Sequence, residues 1–471
     1  MKVLVTIVNY GTKNHDYVNA LISEYRSMTY SVDIVIISNV AKDFGPDIKV
    51  VVGLPTRNPW SLPFNHQRVL SEHKDKYDLF IYSEDDTLIT EEHITSFLEV
   101  TELLPEDKIA GFMRYELDAS YNKTISTIHR GYHWEPDSVK SIGKYTFARF
   151  TNDHSACYIL TQQQLKKAIA SGKYLVSPHE GRYDLICTAA TDPYTQCGFK
   201  KVICISHIDK FLIHHLPNKY VGKSGIKYDE LKKQIQCLME IKNGKVSKQT
   251  LFSTETKFPV VSWDKQFYEP CDEKMLALLP KTTGNVLSVG CGSCGTEAKI
   301  YEKGLRVVGI PLDNVMAVLG KAKGIEVVPP DFEEAFALLS KERFDVIILA
   351  DVLQFLPDPS RLLFEIERLL AKDGHVIIRV PNFNYLGVIK KILLNKELRH
   401  LYENNFVNNN IHMTTENMVK GWLKFSELQA IIIEHDISKD YQLYSKMFFD
   451  MFRGYLSSRI YIVAGRKVGA H

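Results

Sequence analysis

The stretch that decides the fold of the C-terminal half is Val286-Leu-Ser-Val-Gly290-Cys-Gly-Ser-Cys-Gly295. Its apolar start is typical of a buried strand, and the glycines that follow indicate a tight turn before a helix. Glycine adopts positive φ and lets a bound group approach the backbone closely. In doubly wound α/β folds, the turn after the first strand is where nucleotides bind. The stretch therefore predicts a nucleotide-type site, although such a turn alone is a weak signal.

Strands and helices alternate regularly around this turn. Five strands are predicted at 286–290, 306–310, 326–328, 345–350 and 375–380, with helices between them, notably at 359–371. Two further strands, at 430–434 and 459–464, follow a long insertion. Five strand–helix units and two late strands predict an α/β doubly wound sheet that is closed by an antiparallel strand.

Four later motifs occur in order after the glycine turn: Val307-Val-Gly-Ile310, Val327-Val-Pro-Pro-Asp331-Phe332, the run from Phe344 to Asp358 with Ala350-Asp351, and Leu369 to Asn382 with Gly374. This ordered set resembles the class I S-adenosylmethionine-dependent methyltransferases over residues 263–467. The resemblance implies a Rossmann-like domain that binds S-adenosylmethionine and methylates a small molecule or a sugar.

The resemblance also implies a role for each matching residue. Gly290, Gly292 and Gly295 would form the turn against the methionine part of the cofactor. Asp331 would accept a hydrogen bond from the adenine amino group, with Phe332 beside the ring. Asp351 would face the methionine moiety and the acceptor. This prediction requires an open hollow above Gly290.

Three positions depart from the family pattern. Ser288 stands where the family usually has an acidic residue, and Cys294 displaces the third glycine of the turn. Pro311 replaces the carboxylate that would hold the ribose hydroxyls. Asp313, two residues further on, is predicted to take over that role, because only a short turn separates it from the strand.

Methyl transfer to a hydroxyl often uses a general base. His412, in Asn408-Asn-Asn-Ile-His-Met-Thr-Thr415, is the candidate, because it lies in the insertion expected to cover the acceptor. A lone histidine is more often a surface or packing residue, and that alternative stays open. Tyr268, before the first strand of this half, is a candidate for closing the cofactor pocket.

The N-terminal half contains a second chemical motif, Tyr77-Asp-Leu-Phe-Ile-Tyr-Ser-Glu84-Asp85-Asp86. It is an apolar strand that ends in three carboxylates, which repel one another unless a cation compensates their charge. Hard divalent ions such as Mn²⁺ or Mg²⁺ take carboxylate oxygens together with phosphates. The alternative is a solvated turn or a helix N-cap, and the cluster alone does not decide between them.

The opening strand, Val3-Leu-Val-Thr-Ile-Val-Asn9-Tyr10-Gly-Thr12, and this acidic cluster resemble glycosyltransferases of the GT-A fold over residues 1–220. The resemblance implies that Asn9 and Tyr10 meet the nucleotide and that Asp86 is the leading ligand of Mn²⁺ or Mg²⁺. Glu84 and Asp85 would contact the metal or the ribose. Histidines near the end of such domains often bind the metal, which points to His214 and His215. One departure is the second strand, which ends Ser38-Asn39 without a base-binding carboxylate.

A sugar transfer with inversion needs a carboxylate base near the acceptor hydroxyl. Glu180, Asp184 and Asp192 are close in sequence, and Asp184 fits the family's base best, followed by Glu180. Arg68, with Arg57 and His66, offers positive charge for phosphate. Each of these three is more often a plain surface or packing residue.

The composition is that of a soluble globular protein, and the length predicts more than one domain. The chain has 471 residues, a net charge of +2 and eight cysteines, so it shows neither the basic bias of a nucleic-acid binder nor a disulfide scaffold. The apolar N-terminal run is too short for a signal peptide, and no stretch is long enough for a membrane span. A cytoplasmic protein is expected.

Three segments are predicted along the chain. A GT-A-like domain is expected at 1–220, with strands at 3–8, 33–38, 79–82 and 201–206 and a helix at 17–28. A linker with one helix, at 229–242, is expected at 221–260. The change in residue composition that marks this linker runs from about 219 to 259. The methyltransferase domain is expected at 261–471.

The sequence therefore predicts a bifunctional enzyme of glycan or polysaccharide biosynthesis. It would transfer a sugar from a nucleotide sugar to a glycan acceptor and methylate a sugar hydroxyl. A lipid-linked acceptor would bring the protein to a membrane surface without a transmembrane segment. Two alternatives stay open: a glycosyltransferase with a non-catalytic methyltransferase-like module, and two binding modules.

Overall fold

The computed structural model describes residues 1–258, 260–394, 406–438 and 453–467. The chain divides into two compact units, Met1–Asn243 and Gly244–His471. The helix expected in the linker, found at Tyr228–Lys242, packs within the first unit, next to strands at Lys123–Ile125 and Ile226–Lys227. Pro259, at the end of the predicted connector, lies outside the described residues.

A five-stranded sheet forms the centre of the first unit. Its order is β11-β4-β1-β2-β3, with β11 antiparallel to β4 and the other pairs parallel. The strands are β1 Lys2–Asn9, β2 Ser31–Ser38, β3 Lys49–Val52, β4 Leu79–Glu84 and β11 Cys157–Thr161. Continuous apolar runs such as that of β1 suit a sheet covered on both faces. The carboxyl ends of β1 and β4 meet at one edge, where Asn9 and Glu84 lie.

Two smaller sheets complete the first unit, in the orders β6-β12-β10-β9 and β14-β8-β7-β13-β5. Their strands are β5 Thr87–Leu88, β6 Lys108–Ala110, β7 Met113–Leu117, β8 Lys123–Ile125, β9 Lys140–Ile142, β10 Tyr145–Ala148, β12 Lys200–Cys204, β13 Leu212–His215 and β14 Ile226–Lys227. The antiparallel pairing of β13 with β5 sets His215 opposite Thr87. His215 therefore lies next to the acidic cluster, which directly precedes Thr87.

Seven α-helices and three 3₁₀ helices are described in the first unit. The α-helices are α1 His15–Ser27, α2 Asn65–Glu72, α3 Glu91–Thr101, α4 Gln162–Ala170, α5 Leu185–Ala189, α6 Asp192–Thr195 and α7 Tyr228–Lys242. The 3₁₀ helices are Pro59–Phe64, Pro136–Ser138 and Ile205–Phe211. Gln67 of α2 and Asp192 of α6 are joined by a buried hydrogen bond of 2.7 Å, so Asp192 is a structural residue and not an exposed base.

The second unit contains a seven-stranded sheet in the order β17-β16-β15-β18-β19-β21-β20, in which β21 runs antiparallel to both neighbours. Its strands are β15 Asn285–Cys291, β16 Arg306–Pro311, β17 Glu326–Val327, β18 Phe344–Ala350, β19 Leu370–Pro381, β20 Leu428–Ile437 and β21 Ser457–Arg466. The predicted doubly wound sheet with an antiparallel closing strand is confirmed. The order reverses between β15 and β18, and doubly wound folds bind ligands beside such a reversal.

Helices flank this sheet. The α-helices are α8 Glu273–Ala277, α9 Gly295–Glu302, α10 Asn314–Ala322, α11 Phe332–Leu339, α12 Pro359–Leu369, α13 Leu386–Leu394, α14 Phe406–Asn409, α15 Glu416–Phe425 and α16 Arg453–Leu456, with 3₁₀ helices at Val261–Trp263 and Leu353–Phe355. Side chains of Asp313, Asp331 and Asp358 cap α10, α11 and α12 by accepting backbone N–H bonds. Aspartate is among the best N-cap residues, which explains where these helices begin.

Over the described ranges, no helix combines the length and the apolar character that crossing a bilayer requires.

Candidate functional site

The glycine turn of the second unit is packed tightly against the chain itself. Gly290 has a φ of +68°, and a Cβ there would lie 2.9 Å from Val352 and 3.2 Å from Phe252. A Cβ at Gly292 would lie 2.2 Å from the carbonyl oxygen of Phe267, and one at Gly295 would lie 2.5 Å from that of Glu269. The three glycines are therefore required by close approach, as predicted, but the approaching groups belong to the protein.

This packing makes a prediction about stability. Gly292→Ala is expected to destabilise the protein by about 1–3 kcal/mol, because the backbone of Phe267 cannot move aside as a flexible side chain could. The matched control is Gly421→Ala within α15, where an added Cβ meets nothing within 4 Å. Alanine there is expected to add about 0.5–1 kcal/mol of stability. Thermal unfolding of both full-length variants measures this, and an unchanged melting temperature for Gly292→Ala would contradict the packing.

The three residues assigned to adenosine are already engaged. Asp313 is buried and accepts the N–H of Met316 at 2.7 Å, and burial raises the pKa of Asp313 to about 6. The prediction that its carboxylate swings to a ribose is therefore not met in this conformation. Asp331 caps α11 and accepts a hydrogen bond from Gln249. The ring of Phe332 is nearly parallel to that of Phe252, at 6.4 Å between centroids.

The space along the glycine turn is narrow in this conformation. The ring of Phe252 lies 3.2 Å from a Cβ built at Gly290, and the cavity lined by Gly290, Gly292 and Gly295 measures about 20 Å³. A single buried water needs about 10–15 Å³, so the cavity could hold one water and not a nucleoside. The expectation of an open hollow was wrong for this conformation.

A carboxylate from the next helix lies beside Ser288, the position where the family usually has an acidic residue. The hydroxyl of Ser288 donates to Glu297 of α9 at 2.6 Å, and both residues are buried. Sequence reasoning missed Glu297. Its position two residues after Gly295 places it in the first turn of α9, close to the end of β15, and this position could have marked it as a candidate. The departure at Ser288 is therefore partly compensated.

Asp351 lies in a buried ion network that sequence reasoning did not foresee. Arg379 of β19, 1% exposed, reaches Asp351 at 2.5 Å, and Glu269 and Asp272 at 2.6 Å each. Burial raises the pKa of Asp351, but the charges of Arg379, Arg459 and Lys265 together outweigh it, and the pKa lies below its usual range. Lys265 adds a further positive charge nearby and donates to the carbonyl of Ala350 at 2.5 Å. Asp351 is thus a partner of arginine in this conformation.

The predicted base of the second unit is held by its surroundings. Nε2 of His412 lies 3.0 Å from the carbonyl oxygen of Leu356, and the rings of Phe406 and Trp422 contact the imidazole. Burial lowers the pKa of His412, which keeps the ring neutral, as a base must be. Its catalytic role stays a prediction. Tyr268 is buried.

The acidic cluster of the first unit is largely buried. Burial and the charge of Asp86 raise the pKa of Glu84 to about 7, and burial raises that of Asp85 to about 6. Amide groups of Asn9 and Asn14 donate to Asp85 at 2.5 and 2.8 Å. Asp85 and Asp86 form the turn between β4 and β5, in which Asp86 is buried while Glu84 and Asp85 are partly exposed. The turn is therefore only partly solvated.

Asp86 is aligned with a histidine and a second carboxylate. Nε2 of His215 lies 3.4 Å from Oδ2 of Asp86, and Nδ1 lies 2.5 Å from Glu116, which is equally buried. Because a carboxylate accepts, Glu116 holds a proton on Nδ1, and Nε2 faces the second carboxylate, Asp86. Burial raises the pKa of Asp86, but its hydrogen bond to His215 and the neighbouring positive charges hold that pKa below its usual range. The other oxygen of Asp86 is buried without a hydrogen-bond partner. Metal-binding histidines typically have such a carboxylate behind them.

Other predicted residues of the first unit are placed elsewhere. His214 bonds Asn218 at 3.0 Å and stacks on Tyr115, so of the two predicted histidines only His215 faces Asp86. Arg68 lies exposed on α2 beside Glu72, as a surface residue does. His66 is a buried packing residue against Tyr158, and burial lowers its pKa to about 3. For Arg68 and His66 these placements agree with the surface and packing alternatives, and His214 does not face Asp86.

The remaining assignments concern the strand ends and the candidate base. Asn9 also contacts Lys42, while Tyr10 is 52% exposed and free to meet a ligand. Asp184 accepts the N–H of Cys187 at 2.9 Å as the N-cap of α5, and Glu180 is exposed. Because one oxygen of Asp184 is used for capping, its role as a base stays a prediction.

A histidine–cysteine group was not anticipated. Ligand atoms of His129, His154 and Cys187 all lie within 4.8 Å of one another. Burial lowers the pKa of both histidines and raises that of the Cys187 thiol, and the charge of Arg114 also lowers the histidine values. We assign no metal to this group.

The sheet order and the glycine turn define the second unit as a Rossmann-like α/β fold of the methyltransferase type. Residues 271–460 match the family model described as methionine biosynthesis protein MetW. The chain is 29% identical over 113 residues to a ubiquinone biosynthesis O-methyltransferase of Paracidovorax citrulli, across 23% of this chain and 48% of that protein. A protein of the same name from Alkalilimnicola ehrlichii is 26% identical over 116 residues, across 23% and 46%.

The chain thus spans about half the length of the curated relatives it matches. Among solved structures, an S-adenosylmethionine dependent methyltransferase from Mesorhizobium loti aligns with 41% of this chain and 96% of its own, at 18% identity and a TM-score of 0.30. We draw nothing further from a score of that size.

Proposed function

We propose that the second unit is an S-adenosylmethionine-dependent methyltransferase that acts on a hydroxyl group. The family match over residues 271–460 carries this proposal, and the glycine turn at the carboxyl end of β15 supports it. The relatives that the chain matches are named as O-methyltransferases, which favours oxygen as the methylated atom. The residues that fill the cofactor site must move before the cofactor can bind.

Incubating the full-length protein with S-adenosylmethionine that carries a labelled methyl group tests this proposal. Transfer of label to glycan or phenolic acceptors is expected, and the rate should fall in His412→Asn if this residue is the base. The rival is a methyltransferase-like module without catalysis, which the filled cofactor site favours. Absence of both binding and transfer at millimolar cofactor would decide for the rival.

For the first unit we propose metal-dependent transfer of a sugar from a nucleotide sugar, as in GT-A enzymes. The alignment of Glu116, His215 and Asp86 supports this proposal, because it presents a nitrogen and a carboxylate to one point. A bound Mn²⁺ or Mg²⁺ would neutralise a leaving diphosphate. Hydrolysis of a panel of nucleotide sugars, with and without Mn²⁺, is the corresponding assay.

The two activities fit together if they act on one glycan. A sugar added by the first unit would be methylated by the second, or at the chain end, and tethering would raise the effective concentration of the shared product. A lipid-linked glycan would place this work at a cytoplasmic membrane surface. Methylation only of acceptors unrelated to the product of sugar transfer would end this coupling hypothesis.

A further inference from the structure

One short segment makes contact with every group that was assigned to the adenosine half of the cofactor. The segment is residues 247–253, with the sequence Ser-Lys-Gln-Thr-Leu-Phe-Ser, and we call it the strap. It precedes the region matched by the family model, which begins at 271, and it lies within the second unit. Its contacts follow the path from the predicted adenine site to Gly290.

At the predicted ribose position the strap pairs with the backbone. Thr250 forms an antiparallel bridge with Asp313, and the N–H of Leu251 donates to the carbonyl of Leu312 at 2.8 Å. Leu251 is buried in the core of the second unit. Asn314 donates its side-chain amide to Ser247 at 2.9 Å. The backbone beyond β16 therefore binds a peptide at the place where a sugar is expected.

At the predicted adenine and methionine positions the strap uses side chains. The amide of Gln249 donates to Asp331, the carboxylate assigned to the adenine amino group. Phe252 lies nearly parallel to Phe332, at 12° between ring planes, and to Phe355, at 18°. Its ring also comes within 3.2 Å of a Cβ built at Gly290. An N–H donor beside an aromatic plane reproduces the recognition features of an adenine base.

We propose that the strap is an internal ligand that competes with S-adenosylmethionine for its site. This inference rests on the proposed methyltransferase function. A protein whose open state is only a fraction f of the population binds its ligand with an apparent Kd raised by 1/f. Strap release would thus set cofactor affinity, and any partner or substrate that holds residues 247–253 away from the sheet would activate methyl transfer.

The strap is suited to release because most of it is at the surface. Its residues other than Leu251 and Phe252 are exposed, including Gln249. Few buried contacts then oppose its departure, and segments with few buried apolar contacts open at low free-energy cost. The packing of Leu251 and Phe252 supplies the main hold, together with the hydrogen bond to Asp331.

Calorimetric titration of the full-length protein with S-adenosylmethionine tests the proposal. The double variant Gln249→Ala/Phe252→Ala is expected to bind about tenfold or more tightly than the unaltered protein. Lys248→Ala, an exposed change in the same strap whose side chain makes none of these contacts, should match the unaltered protein. Because Phe252 also packs on the core, Gln249→Ala alone serves as a second variant, with a smaller gain in the same direction.

The possible failures are distinguishable. Equal affinity in the unaltered protein, Gln249→Ala and the double variant would overturn the strap while leaving the methyltransferase proposal standing. No binding by any of the proteins at millimolar cofactor would overturn the methyltransferase proposal, and the competition with it.

Discussion

Arg379→Met is expected to lower the free energy of unfolding by about 3–5 kcal/mol, because it removes the main counter-charge of buried carboxylates. Arg379 bonds Asp351, Glu269 and Asp272, two of which are themselves buried or nearly so. Methionine is shorter and carries no charge, so the loss combines the missing ion pairs with some lost packing. Arg459 reaches Glu269 and Asp351 only at 3.5 and 3.7 Å and cannot replace it.

Thermal and denaturant unfolding of the full-length protein measure this loss. The control is Arg368→Met on α12, where the exposed arginine pairs loosely with Glu365 at 3.5 Å. A surface change of this kind is expected to stay within about 0.5 kcal/mol. If both variants lost the same small amount, the buried network would not be what holds the β18 and β19 ends together.

Asp86→Asn is expected to reduce metal-dependent turnover of a nucleotide sugar by about 100-fold or more. Its carboxylate faces Nε2 of His215, whose other nitrogen is fixed by Glu116. Loss even of groups that support a metal ligand typically costs 10–100-fold in affinity or activity, and loss of the ligand itself costs at least as much. The measurement is kcat/KM at saturating Mn²⁺ for whichever sugar nucleotide is turned over.

Two neighbouring histidines give this prediction its control. The kcat/KM of His215→Gln should fall as far as that of Asp86→Asn. The kcat/KM of His214→Gln should stay within a few-fold of that of the unaltered protein, because His214 bonds Asn218 and stacks on Tyr115. Glu116→Gln is expected to show an intermediate loss. An equal effect of both histidine variants would show that the Asp86–His215 alignment does not bind the metal.

Sequence patterns predicted the frame of both units for a clear physical reason. Strands such as β15 and β18 are short, continuous apolar runs bounded by polar turns. Such runs are typical of strands that are buried on both faces of a sheet. The short strands β5 and β14 have two residues each, which is too few for a hydrophobic periodicity to be recognised in the sequence. Their pairing depends on partners far along the chain, so His215 could be singled out only together with His214.

The sites were predicted in part for the same reason. Gly290, Gly292 and Asp86 could be singled out because glycine-rich turns and clustered carboxylates directly after an apolar strand are unusual patterns. Phe252 and Gln249 could not, because nothing in a polar connector shows that it returns to the sheet. Glu116 is one acid among many until β7 and β13 are paired. Contacts between distant segments decide which side chains face a site and which groups already fill it.

We propose that the glycine turn of the second unit binds S-adenosylmethionine once residues 247–253 leave it. Hydrogen exchange of the full-length protein, measured by mass spectrometry with and without millimolar S-adenosylmethionine, reports on both segments at once. The cofactor should slow exchange in peptides that cover 286–295 and 331–332 and speed exchange at 247–253. Unchanged exchange at 286–295 in the presence of the cofactor would contradict it.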